Sequence, residues 1–172
     1  MSENLDTRTL PEDAAQRLRT LIDHFAQAAA LGHAPLRRPP AMPAWGGRAQ
    51  GHFHLAAELF LQVASTPRFT FPHATLTLGP GEMLLVPPKL LHDEWVSAAG
   101  PAPYQAFSNL VVHADGGSLC SHLAHECAPG QPGVMHLEVR GHPQVARIQE
   151  WLADAALPGD ERSEEHTSEL QS

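Results

Sequence analysis

Four side chains carry the types and spacing for joint chemistry: His52, His54, Glu58 and His92. They lie in Gly51-His52-Phe53-His54-Leu55-Ala56-Ala57-Glu58 and in the later Gly81-Glu82-Met83-Leu84-Leu85-Val86-Pro87-Pro88-Lys89-Leu90-Leu91-His92. In an extended strand, residues two and four apart face the same side. His52, His54 and Glu58 are thus expected to point into one interior, with His92 joining them from a hairpin-paired strand. Imidazoles and a carboxylate around an open position suit a divalent transition metal, which is one candidate occupant of these four.

Other chemistry is sparse. Cys120, His122, His125 and Cys127 crowd into one short stretch, whereas structural zinc sites pair close-spaced ligands with a distant second pair. They are read as isolated residues of a helix or loop. No nucleophile-elbow sequence and no Gly-rich phosphate loop occurs. The formal charge is −8, and Arg37-Arg38 is the nearest approach to a basic run, so this domain is not expected to grip duplex phosphate by itself. No apolar run approaches the roughly 18–20 residues that span a bilayer. Met1 to Gln16 lacks the basic start and apolar centre of a signal peptide. With only two cysteines, a cytoplasmic protein without membrane contact is the expectation.

The elements that must position these residues follow from periodicity. Residues 9–31 predict a helix: Thr9 and Glu12 have capping-box spacing, and Leu18, Leu21, Ile22, Phe25 and Ala29 form an apolar stripe. Within the N-terminal segment 1–32, this helix leads to a Pro-rich arm over 33–50, in which Trp45 could cover an apolar surface. Short runs rich in β-branched and aromatic residues then predict strands at Glu58–Val63, Arg68–Phe71, Thr75–Leu78, Met83–Val86, Glu94–Val96, Gln105–Val112 and Val134–Val139. Many short strands with Gly and Pro turns argue for a mainly β sandwich or barrel over 51–140. Val145, Ile148, Leu152 and Ala155 place a helix in 141–161 that either packs on the barrel or pairs with its twin in a homodimer.

The histidine pattern resembles the two motifs of the cupin family: His-x-His with Glu four residues on, then Gly, Pro and a final His. The resemblance implies a small jelly-roll barrel (a double-stranded β-helix) with helices at both ends. In metal-binding cupins the positions matching His52, His54, Glu58 and His92 are the ligands. Departures occur where the first motif closes, as Val63-Ala64-Ser65 without its Gly, and where Pro-x-Gly becomes Pro87-Pro88-Lys89. The trailing Asn is Val96. Within the cupins, Leu78-Gly79-Pro80-Gly81-Glu82-Met83-Leu84-Leu85-Val86-Pro87-Pro88 is similar to the sensor domain of AraC-type transcription regulators. That resemblance implies a domain that binds a small-molecule effector through His52, His54, Glu58 and His92, with no catalytic role and no cofactor, and that dimerises, with DNA contacted only through a following two-helix-turn-helix domain. The competing reading is a metal-dependent cupin enzyme, a dioxygenase or isomerase.

Residues 162–172, Arg162-Ser163-Glu164-Glu165-His166-Thr167-Ser168-Glu169-Leu170-Gln171-Ser172, resemble a translated sequencing adapter. They are read as an artefactual tail outside the fold. Without its one cation and three anions the charge is −6. The natural frame is then expected to have continued beyond Glu161, with the DNA-binding part missing.

Overall fold

The computed structural model describes residues 12–40, 51–95, 107–128 and 131–157. Trp45, Val96, the start of the expected first helix and the tail 162–172 lie outside them. Helix α1 (Glu12–Ala30) precedes β1 (Leu36–Arg37), β2 (Glu58–Gln62), β3 (Arg68–Phe71), β4 (Ala74–Thr77), β5 (Met83–Val86) and β6 (Asp93–Trp95). Then come β7 (Phe107–Asp115), β8 (Ser118–Ala128), β9 (Gln131–Arg140) and helix α2 (Val145–Ala156).

The strands form two sheets, ordered β1-β5-β2-β7-β8-β9 and β4-β3-β6. The protein is mainly β with two helices, and among the described residues no closed barrel is formed by strand pairing. Alternation along the strands decides what lies between the sheets. Phe60, Leu84, Val86 and Val111 of the larger sheet meet Phe69, Phe71, Leu76 and Leu78 of the smaller in one buried cluster. Phe60 and Phe69 pack edge to face, with ring centroids 4.9 Å apart, a geometry favoured by the aromatic quadrupole.

The other face of the larger sheet is closed by the helices. Phe25 of α1 packs with Ala34, Leu61 and Leu110, and Ala156 of α2 packs with Ala57 and Leu85. Of the two positions expected for the C-terminal helix, this one sets it against its own sheet. The apolar face of α1 is narrower than its sequence stripe, because Ile22 and Ala29 are exposed while Leu21 and Ala28 flank Phe25.

Two expectations are revised. The Pro-rich arm contains β1, which pairs in parallel with β5 through Leu36 and Met83. The stretch with Cys120 and His122 is neither helix nor loop but β8. Gly116 and Gly117, both at positive φ, turn the chain tightly enough to fold β8 back on β7.

Ser65 (φ 62) and Lys89 (φ 63) are the two non-glycine residues at positive φ among the described residues. A Cβ in this left-handed region crowds the following carbonyl and costs about 1–2 kcal/mol. Exposed Lys89 uses its backbone N–H, which donates to the His54 carbonyl at 2.8 Å, so the local structure does not need its side chain. Lys89→Gly should raise stability by up to about 1 kcal/mol, glycine's added chain entropy offsetting part of the gain. The check is a higher urea midpoint at unchanged m-value.

Candidate functional site

At one end of the space between the sheets, the first residue of β2 brings a carboxylate into an apolar surround. Glu58 is 2% exposed, beside Phe60 on the same inward face. An isolated buried carboxylate costs several kcal/mol in desolvation, so this position requires partners. Glu58 Oε1 lies 3.3 Å from His54 Nε2, and Oε2 lies 3.2 Å from His92 Nε2. His113 Nδ1 stands 4.0 Å from Oε1. The Oε2–Nε2 approach is close enough for an ion pair but off-line for a hydrogen bond, leaving both atoms without an aligned partner.

The backbone that holds these groups differs from the expected strand. His52 and His54 sit on a bent segment ahead of β2, and His92 sits beyond the turn that follows β5. They meet through one isolated antiparallel bridge. The His52 N–H donates to the His92 carbonyl and the His92 N–H to the His52 carbonyl, both at 2.9 Å. Gly51 makes the crossing possible: its φ is +127, and an added Cβ would lie 2.1 Å from the His92 carbonyl oxygen. The His52 and His92 rings lie 4.8 Å apart between centroids, and His52 and His54 lie 5.2 Å apart.

The structure thus brings all four sequence-predicted residues together. His92 and Glu58 form the buried floor, His54 is partly open, and His52 is exposed at the rim. Two further residues belong to the site. His113 pairs directly with Glu58 across β2 and β7, and its ring lies 5.2 Å from that of His54. Its signal was its inward parity with Asn109 and Val111 just past the predicted end of that strand. Glu94 stands opposite Phe69 in the register of β6 and β3, on the strand that follows His92. Its Oε2 is buried without a hydrogen-bond partner.

These surroundings split the two carboxyls. Burial alone would raise Glu58, but contact with His92 and the charges of His54, His92 and His113 outweigh it and hold the group below its ordinary range. Burial raises Glu94, and the neighbouring Glu58 charge adds to this. Burial opposes charge on His92 as well, yet the Glu58 contact and the Leu90 carbonyl, 2.9 Å from Nδ1, lift it above its ordinary value. His52, open to solvent at the rim but with one side against the cluster, is lowered by that partial desolvation and by the charges of His92 and His54. Glu58 is thereby favoured as a charged acceptor and Glu94 is shifted toward its neutral form, so the two carboxyls offer different hydrogen-bonding character to the hydroxyl or carboxyl groups of a small ligand.

The donor types also suit a divalent ion. Their placement does not: among the described residues no three His, Cys, Asp or Glu side chains are grouped to hold a metal, and both Glu58 oxygens already face imidazoles. Cys120 lies in register with His113 on β8, rather than in a zinc cluster with its sequence neighbours. No helix is long and apolar enough to cross a membrane among the described residues.

This chain matches no family model, no curated protein and no solved structure.

Glu58→Ala should destabilise the fold by about 3–5 kcal/mol, because it leaves buried His92 facing no counter-charge. The pair also fixes a pH window. The raised His92 contributes fully below its unfolded value of 6.5 and loses that contribution as pH climbs through its higher folded value. The depressed Glu58 contributes above 4.5 and loses its share as pH falls through its lower folded value. Urea midpoints measured across pH should show the wild-type advantage over Glu58→Gln shrinking at both ends. Gly51→Ala should cost roughly 2 kcal/mol or more by forcing the crossing apart, read as a lower midpoint even at the pH of greatest stability.

Proposed function

We propose that this chain is the effector-sensing and dimerisation part of an AraC-type transcription regulator, built on a cupin jelly roll, whose DNA-binding domain is missing here. The observation that carries the reading is the meeting of His52, His54, Glu58 and His92 at one end of two facing sheets. The two motif-bearing segments are far apart in sequence, and the resemblance requires them to meet.

A second observation supports the cupin part. Ser65 and Lys89, where the motifs would carry glycine, are the two non-glycine positions among the described residues in the glycine-favouring backbone region. The departures from the motifs thus fall at positions whose backbone favours glycine, which supports this reading. A regulatory role gains support from the arm. The Arg38 guanidinium donates to the Ala155 carbonyl at 3.2 and 3.0 Å, and Arg37 pairs with Glu82 at 3.0 Å. The Arg pair thus ties the arm to α2 and to the residue just before β5.

In this reading a small effector enters past His52 and His54 and contacts Glu58 and His92. A sugar, an aromatic acid or a polyol suits the donor and acceptor set. It acts only to the extent that it binds one arrangement of arm and helix more tightly than the other. The parent homodimer then presents its DNA-binding domains differently, in the cytoplasm.

The metal-dependent enzyme reading draws on Glu58 Oε2 and His92 Nε2, which face each other without an aligned hydrogen bond and are the kind of atoms a cation would pair. It requires His54, His92 and Glu58 to reorient.

Extending the source reading frame past codon 161 tests the proposal. Two helix-turn-helix units are expected within the next ~150 residues, about one domain's worth. A natural stop just beyond that codon would remove the regulator assignment. Near-stoichiometric metal in purified protein, lost on His54→Ala, would favour the enzyme.

A further inference from the structure

The cross-strand register draws a row of chemically active side chains across the larger sheet. Glu58 pairs with His113, His113 with Cys120, and Cys120 with Glu138, over β2, β7, β8 and β9. Directly paired residues face the same side, so this row continues away from the Glu58 cluster toward the far edge. There it meets a cleft of about 550 Å³, lined by His113, Ser118, Cys120, Glu138, Arg140 and the Gly116–Gly117 turn. That volume is within the range of small-molecule sites, roughly 300–1,000 Å³.

Arg140 is the one cation among the lining residues. Its Nε and Nη2 donate to the two Glu138 carboxylate oxygens at 2.8 and 2.9 Å. This contact uses one edge of the guanidinium. A guanidinium has five N–H donors, so the Nη1 side and one Nη2 hydrogen remain, the edge that takes a second carboxylate end-on. Among the described residues nothing bonds to Nη1.

We propose that this cleft is a binding site for a small organic carboxylate, held end-on by Arg140 with its body against Cys120 and His113. The site goes beyond the effector reading and does not rest on it. Through His113 it shares a wall with the Glu58 cluster, yet its recognition chemistry is that of Arg140.

Cys120 is a built-in reporter, partly exposed inside the cleft. The experiment uses the full chain carrying Cys127→Ser, so that one thiol remains, and follows its alkylation by iodoacetamide. Acetate, benzoate, succinate and citrate are added up to tens of millimolar, with acetamide, benzamide and succinamide as uncharged controls. At least one carboxylate is expected to slow labelling several-fold and saturably, while its amide does not. Arg140→Gln, a change at an exposed edge, is expected to remove that protection while Cys120 still labels. Three results would overturn the proposal: no protection by any carboxylate, equal protection by acid and amide, or protection that survives Arg140→Gln. A Cys120 that resists iodoacetamide without ligand would overturn it too, since the cleft would then admit no small molecule.

Discussion

A carboxylate held almost entirely out of water governs this structure. Desolvating Glu58 costs several kcal/mol, and only the surrounding imidazoles offset it. β2 is the strand suited to carry that group, because it is interior to the larger sheet with β5 on one side and β7 on the other. One neighbour leads through a turn to His92, and the other delivers His113 in direct register. Phe60, two residues on, is the apolar wall that keeps water from the same space. Polar and apolar demands are thus met on a single face of one short strand, and the remaining architecture serves to keep that face covered.

Much of this was legible in the residues. β3 and β5 have the expected ends because each is bounded by strong turn residues, and Arg68-Phe69-Thr70-Phe71 alternates cleanly between solvent and core. The four candidate site residues meet as expected, although by another route. Residue parity alone implies one continuous strand through His52 and Glu58, whereas a bend intervenes and a backbone bridge restores the convergence. β8 was missed because Cys120, His122, His125 and Cys127 look like a chemical cluster. Their strand character comes from pairing on both sides, which local composition does not encode. Glu94 and His113 escaped for a related reason. Each is a single titratable residue in an ordinary strand, and its importance comes from its partner across the sheet.

The arm and the C-terminal helix form a second tier around this centre. β1 covers the outer edge of β5 with a two-residue parallel pairing, a short patch on backbone groups that would otherwise face solvent. Arg38 follows at once and reaches a carbonyl in the last turn of α2, where the helix dipole favours a cation. Ala34 of the arm and Ala156 of α2 are themselves buried against the larger sheet, so this tier rests on the same strands that carry the Glu58 cluster.

The crossing of the chain at His52 and His92 is made by main-chain atoms, and the demand for space falls on Gly51 rather than on either histidine. The crossing is consequently indifferent to the ring it displays at the exposed rim, whereas Glu58 and His92 beneath it belong to the framework. Descendants of this gene could exchange the His52 imidazole for amide, hydroxyl or hydrocarbon and acquire a new appetite without first inventing a new framework.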